Sequence, residues 1–302
     1  MKTIKRLLLV AGVLAVVTGV AFWARPVSFF NGLTDARLIL SGVQSRSVTV
    51  AGNRIHYFVD GPSDGKAVLL VHGLGGRAED WRNLAPILAK WNFRVYMPDL
   101  PGYGGSDKPA DFSYSVHDEA EMVVGFMDAV GLKDVDLGGW SMGGGIAQHV
   151  AARHPERVRK LILFDSAGIF EMPKWDINLF MPKTPAELDQ LDALLMPNPP
   201  KVPAFIARDI LRISKKNAWV IRRAIDAMLT GNDATDKLLP GLKMPVLLIW
   251  GEQDRITPLS QGKKMNELIP QSQLGVFPGC GHLAPSQCTD EIAPVVTEFL
   301  RQ

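Results

Sequence analysis

Residues Ala67–Val71 read Ala-Val-Leu-Leu-Val, an apolar run without a polar break, stopped by His72-Gly73. A strand with one wet face alternates apolar and polar side chains. An unbroken run needs cover on both faces, as in a parallel sheet between two helical layers. Similar runs recur at Leu161–Phe164 and Val246–Trp250, with further strand patterns at Arg94–Met97, Val135–Leu137 and Leu274–Phe277. Helical periodicity fills the intervals at Trp81–Lys90, Val116–Val130, Gly143–Arg153, Leu259–Ile269 and Glu291–Arg301. Strand and helix in alternation specify an α/β chain with a mostly parallel, doubly wound sheet. Ahead of it, Ser47–Val50 and Ile55–Val59 read as two short strands around a Gly52-Asn53 turn.

The alternation stops between residues 169 and 239, which hold no convincing strand but show helical patterns at Pro185–Leu195, Ala204–Ile213 and Ala218–Leu229. This reads as a helical cap, 169–239, inserted into one α/β core whose parts are 45–168 and 240–302. Lys plus Arg number 33 against 31 Asp plus Glu, with no long run of one sign, so nothing points to nucleic acid.

The N-terminus has another character. Lys2, Lys5 and Arg6 precede the uncharged stretch Leu7–Trp23, and Arg25-Pro26 ends it. A basic start before an apolar segment is an export signal, so residues 1–25 stand outside the fold. Two fates are open: cleavage after Ala21, for which Gly19 and Ala21 are suitably small, or retention as a membrane anchor, which is preferred. The 17 residues of Leu7–Trp23 are at the lower limit for a span, and Trp23 suits an interface. The expected location is therefore the cell envelope, with the catalytic part exported. Phe29–Val43 reads as a helical connector. An exported domain permits a disulfide between Cys280 and Cys288, but spacing alone does not decide it, and two free thiols are preferred.

Chemistry enters at Gly139-Trp140-Ser141-Met142-Gly143. A G-x-S-x-G pattern between an apolar strand and a helix start is a nucleophile elbow, with glycines where the sharp turn leaves no room for Cβ. A serine hydroxyl needs a base. Of six histidines, His282, in Gly279-Cys280-Gly281-His282, alone sits on a loop downstream of the serine after the last strand. The acid that orients such a base belongs between them. Asp254 follows the Val246–Trp250 strand, leaving one helix and one strand before His282. Asp165, after Leu161–Phe164, is the rival, and Glu252 is third. For the oxyanion, two backbone N–H donors are expected, from Met142 and from Leu74 in His72-Gly73-Leu74-Gly75-Gly76.

With DLPGYGGS at Asp99–Ser106, GEQD at Gly251–Asp254 and Asp165-Ser166-Ala167-Gly168, these motifs run in one order over residues 45–302. The chain resembles α/β-hydrolase-fold lipases and esterases, most of all the monoacylglycerol-lipase-like branch and bacterial lipases with an N-terminal hydrophobic segment. The resemblance implies ester or lipid substrates, an acyl-serine route, and no metal or organic cofactor. Trp140 stands where relatives often carry His or Asn, and Gln287 where many have Glu, so both bear on substrate preference. Dehalogenases and epoxide hydrolases of this fold carry Asp at the elbow, against which Ser141 argues. Carbon–carbon bond hydrolases and cofactor-free haloperoxidases share the serine triad and stay open, as does an inactive binding protein. The apolar cluster Phe170, Met172, Trp175, Leu179, Phe180 and Met181 reads equally as an acyl-binding wall or membrane-facing lip, or as packing between cap and core.

Overall fold

The computed structural model describes residues 2–302. Its eight strands are β1 (Gln44–Val50), β2 (Asn53–Asp60), β3 (Lys66–Val71), β4 (Phe93–Pro98), β5 (Val135–Trp140), β6 (Val158–Phe164), β7 (Val246–Gly251) and β8 (Ser272–Phe277). They form one sheet in the order β1-β2-β4-β3-β5-β6-β7-β8, antiparallel at β1–β2 and β2–β4 and parallel from there on. The unbroken apolar runs become central strands because both faces are covered. On β3, Leu69 and Val71 enter one core while Val68 and Leu70 enter the other. On β7, Val246, Leu248 and Trp250 face one core, and Leu247 and Ile249 the opposite one.

The helices are α1 (Lys2–Ala24), α2 (Pro26–Leu40), α3 (Ala85–Lys90), α4 (Val116–Ala129), α5 (Met142–Arg153), α6 (Pro185–Leu195), α7 (Ala204–Leu229), α8 (Leu259–Leu268), α9 (Ala284–Gln287) and α10 (Thr289–Arg301). Their starts are chemically marked. Ser115 accepts the Asp118 N–H at 3.1 Å to open α4, and Thr184 with Pro185 opens α6. The stretch between β6 and β7 carries α6 and α7 and no strand. Two helices are expected over 204–229, but one is found. Ser214-Lys215-Lys216-Asn217 suggests a break, yet it holds neither Gly nor Pro, and Lys215 and Lys216 are simply exposed positions of a continuous helix.

At the N-terminus, α2 docks on α7. The Val27 N–H donates to the buried Asp209 carboxylate at 3.0 Å, and the Phe22 and Trp23 rings meet Phe205. Leu9, Val13, Val16, Val17 and Val20 of α1 are exposed. Among the described residues no single helix is long and apolar enough to cross a membrane. Ala11–Ala24 and Pro26–Leu40 reach that composition together, bent by 115°.

Candidate active site

The parallel strands deliver their C-terminal ends to one edge, where ligand chemistry sits in open α/β sheets. β5 ends in the elbow. Ser141 has φ 56°, a left-handed conformation that a non-glycine residue adopts only under constraint. The turn closes so tightly that a Cβ on Gly139 would lie 2.2 Å from the Gly143 carbonyl oxygen, and one on Gly143 would lie 2.4 Å from the Val71 and His72 oxygens. Glycine is therefore obligatory at both positions.

β8 and β7 supply the partners. His282 Nε2 lies 2.9 Å from Ser141 Oγ, and His282 Nδ1 lies 2.8 Å from Asp254 Oδ2. In the tautomer this network requires, Nδ1–H donates to Asp254 and Nε2 accepts from the serine hydroxyl. All three side chains are buried. Asp254 Oδ1 also accepts the Ile256 and Thr257 N–H groups, at 2.7 and 3.0 Å. The structure thus brings Ser141, His282 and Asp254 into one hydrogen-bonded line. Glu252 is exposed on the same loop, and Asp165 lies behind Asp254 rather than against His282.

Leu74 and Met142 border the cavity beside Ser141, and among the described residues neither N–H donates to a protein oxygen. Both amides are free to meet an anion. The loop carrying Leu74 is held by His72, whose ring nitrogens bond the Gly73 carbonyl at 2.8 Å and the Leu100 N–H at 3.0 Å. Burial pushes this imidazole below its ordinary range, so it stays neutral and can accept from Leu100.

Three contacts that hold the triad are not apparent in the sequence. The Trp140 indole N–H donates to the His282 carbonyl at 2.8 Å. The His282 N–H donates to the Leu195 carbonyl at the end of α6 at 3.0 Å. The Thr257 hydroxyl lies 2.7 Å from Asp254 Oδ2 and 2.9 Å from the Asp165 carbonyl. Cys280 and Cys288 are bonded, bracketing His282, contrary to the preference for free thiols; their Cα atoms are 6.2 Å apart, within bridging range. Trp140 and Gln287 do not touch the cavity, so neither selects substrate directly: the first serves the histidine loop and the second is exposed at the end of α9. A signal for Trp140 exists in strand parity, because Gly138 and Trp140 must share the face opposite Leu137.

The cavity, about 240 Å³, runs from Ser141 beneath the segment after β6 and the end of α7. Its wall is mostly apolar, from Val116, Ile169, Ile177, Ile225, Met228 and Leu229 among others, with Glu171, Asp233 and Gln261 as polar members. Of the apolar cluster, Phe170, Met172, Trp175 and Phe180 line it, whereas Leu179 and Met181 are buried packing. Lys174 and Arg255 are the cations that border it. Both are exposed, Lys174 paired with Glu171 and Arg255 bound to the Ala193 carbonyl.

Comparison with known proteins places this geometry in company. The family pattern described as the alpha/beta hydrolase fold matches residues 66–219 and 221–287. Lipase 1 of Psychrobacter immobilis is 28% identical over 84% of this chain and 83% of its own. The 2-hydroxymuconate semialdehyde hydrolase of Pseudomonas sp. (strain CF600) is 31% identical over 85% of this chain and 94% of its own. Among solved structures, a bacterial membrane phospholipase A, described as a virulence factor, superposes with a TM-score of 0.83 at 30% identity. It covers 100% of this chain and 98% of that one.

Proposed function

The chain belongs to the alpha/beta hydrolase fold family, and from that membership we propose that it hydrolyses carboxylic esters with apolar acyl chains through an acyl-serine on Ser141. The Ser141 hydroxyl attacks the ester carbonyl as its proton passes to His282 Nε2. Asp254 orients the ring and stabilises the imidazolium that forms. The Leu74 and Met142 N–H groups receive the oxyanion. Collapse expels the alcohol with the proton from His282 and leaves acyl-Ser141. Water, deprotonated by His282, then attacks the acyl carbon and releases the acid and the free serine.

The relatives divide between lipases and carbon–carbon bond hydrolases. The observation that carries the ester reading is the distribution of charge in the cavity. The dienoates named for relatives such as the 2-hydroxy-6-oxo-6-phenylhexa-2,4-dienoate hydrolase of Burkholderia cepacia are carboxylates. Burying one calls for a paired cation inside the site, and here the lining cations are exposed at the mouth. The inner wall suits an acyl tail, whose CH₂ groups each contribute about 0.8 kcal/mol on burial, roughly three- to fourfold in kcat/KM. A series of p-nitrophenyl esters and monoacylglycerols, set beside that dienoate, tests this. Ester turnover should rise with chain length until the cavity is full. Faster turnover of the dienoate than of any ester would refute it.

The enzyme is also proposed to be exported and kept on the membrane by residues 1–25. The basic Lys2, Lys5 and Arg6, the exposed apolar side chains of α1 and the interfacial Trp23 support this.

A further inference from the structure

α7 turns one face to solvent along its whole length. At 3.6 residues per turn, Arg208, Arg212, Lys215, Lys216, Arg222 and Arg223 fall within an arc of about 120°, and at 1.5 Å per residue they span about 22 Å. The buried Val220, Ile221, Ala224 and Ile225 point the other way. These six are all the basic residues of the helix, against two acidic ones. The whole chain has 33 Lys plus Arg and 31 Asp plus Glu, so the remainder is slightly acidic and the positive charge is concentrated here. Asp209, buried beneath the face, takes Arg212 at 2.8 Å, and Asp226 meets Arg222 at 3.8 Å. Arg208 and Arg223 reach carbonyl oxygens, which leave their charge in place, and Lys215 and Lys216 are exposed. Glu187, Asp189 and Asp192 of the neighbouring α6 make no ion pair with these cations among the described residues. In the middle of the face stands Trp219, 38% exposed, set edge-to-face on Tyr114 at 5.7 Å with the Arg223 guanidinium 5.3 Å over its ring.

Both ends of the helix are fixed. At the first, Phe205 packs on Phe22 and Trp23, and Arg208 donates to the Trp23 carbonyl at 3.4 Å. At the last, Ile225, Met228 and Leu229 line the cavity. The basic face therefore runs from the N-terminal apolar segment to the cavity. We propose that this face of α7 docks on an anionic lipid surface, its cations against headgroup phosphates and Trp219 at headgroup level, and so holds the cavity toward the bilayer. A basic helix face carrying an aromatic side chain suits such a surface. Continuity with the exposed apolar side chains of α1 selects lipid over a nucleic acid or an acidic protein. The proposal rests on the reading of residues 1–25 as a membrane anchor. The contact is electrostatic, reversible and weakened by salt, so the anchor holds the enzyme while α7 sets its tilt, and loss of residues 1–25 still releases it.

The test uses the full-length enzyme and its Lys215→Glu, Lys216→Glu double variant, with vesicles of phosphatidylcholine alone or of phosphatidylcholine with phosphatidylglycerol. Both lysines are exposed and outside the cavity, so the two proteins should hydrolyse a soluble p-nitrophenyl ester equally. A long-chain monoacylglycerol carried in the vesicles should be hydrolysed by the wild type about fivefold faster, or more, on anionic than on neutral vesicles. High salt should abolish that gain, and so should the double substitution. A merely structural role would move both substrates together. A second measurement needs no turnover: a lipid with a nitroxide at its headgroup should quench Trp219, read as the difference between the wild type and Trp219→Phe, more strongly on anionic than on neutral vesicles. Equal rates on the two vesicles, a gain that survives in the double variant, or no quenching of Trp219 on anionic vesicles would overturn the proposal. The anchor reading fails differently, by the full-length enzyme not floating with neutral vesicles. Flotation with anionic vesicles that disappears at high salt would then still support the contact through α7.

Discussion

Ser141 holds its strained φ because its neighbours leave no alternative: Gly139 and Gly143 allow the strand and helix backbones to close on each other. Other unusual single residues lie away from the reacting atoms. Glu119 on α4 is buried with neither carboxyl oxygen hydrogen-bonded among the described residues, and burial holds its carboxyl well above the usual range. In the folded state it is a neutral acid, whereas the unfolded chain ionises it near pH 4–5. Stability from this group is therefore full below that range and declines as pH rises toward the folded value. Glu119→Gln removes the penalty, so its melting temperature should exceed the wild type's at pH 8, by about 2–4 °C for each kcal/mol recovered. The gap should close near pH 4. His72 has the opposite sign. Its imidazole is pushed down by burial, so the unfolded chain takes up a proton first as pH falls below about 6.5, and stability is lost on the acid side. Melting curves of the Glu119→Gln variant and the wild type at pH 4 and 8 check the first effect; an unchanged gap across that range would contradict it.

At the level of elements, the central strands were the most legible part, because an unbroken apolar run such as Val68–Val71 has few places to go except a sheet covered on both faces. The helix 204–229 shows two patterns in the sequence, Ala204–Ile213 and Ala218–Leu229, because the polar Ser214–Asn217 interrupts its apolar periodicity, although no Gly or Pro enforces a break. The loop around His282 shows what local pattern cannot carry. Its anchors are Trp140, Leu195 and Cys288, one of them 142 residues away, and such contacts leave no periodicity to read. The Cys280–Cys288 bridge closes a short loop, for which chain entropy gives about 2–3 kcal/mol. A Cys280→Ser, Cys288→Ser double variant should therefore melt roughly 5–10 °C lower, with kcat reduced because His282 is less firmly held. A melting temperature equal to the wild type's would show that the bridge contributes nothing.

Across the whole molecule, the helical segment between β6 and β7 joins the remaining parts. α7 receives α2 through Asp209 at one end and lines the cavity with Ile225, Met228 and Leu229 at the other. α6 ends on the carbonyl that holds the His282 backbone. Removing residues 1–25 spares the Val27–Asp209 bond, so the shortened enzyme should remain active and leave the membrane fraction without detergent. Activity that still sediments with membranes would place the attachment elsewhere on the surface. The central claim is an acyl-enzyme on Ser141, and rapid quenching of the enzyme during turnover of a slow ester, followed by peptide mass spectrometry, tests it most directly. The expected result is a transient acyl mass on the Ser141 peptide that decays with product release and is absent in Ser141→Ala. Ester hydrolysis that persists in Ser141→Ala, or an acyl group on any other residue, would contradict it.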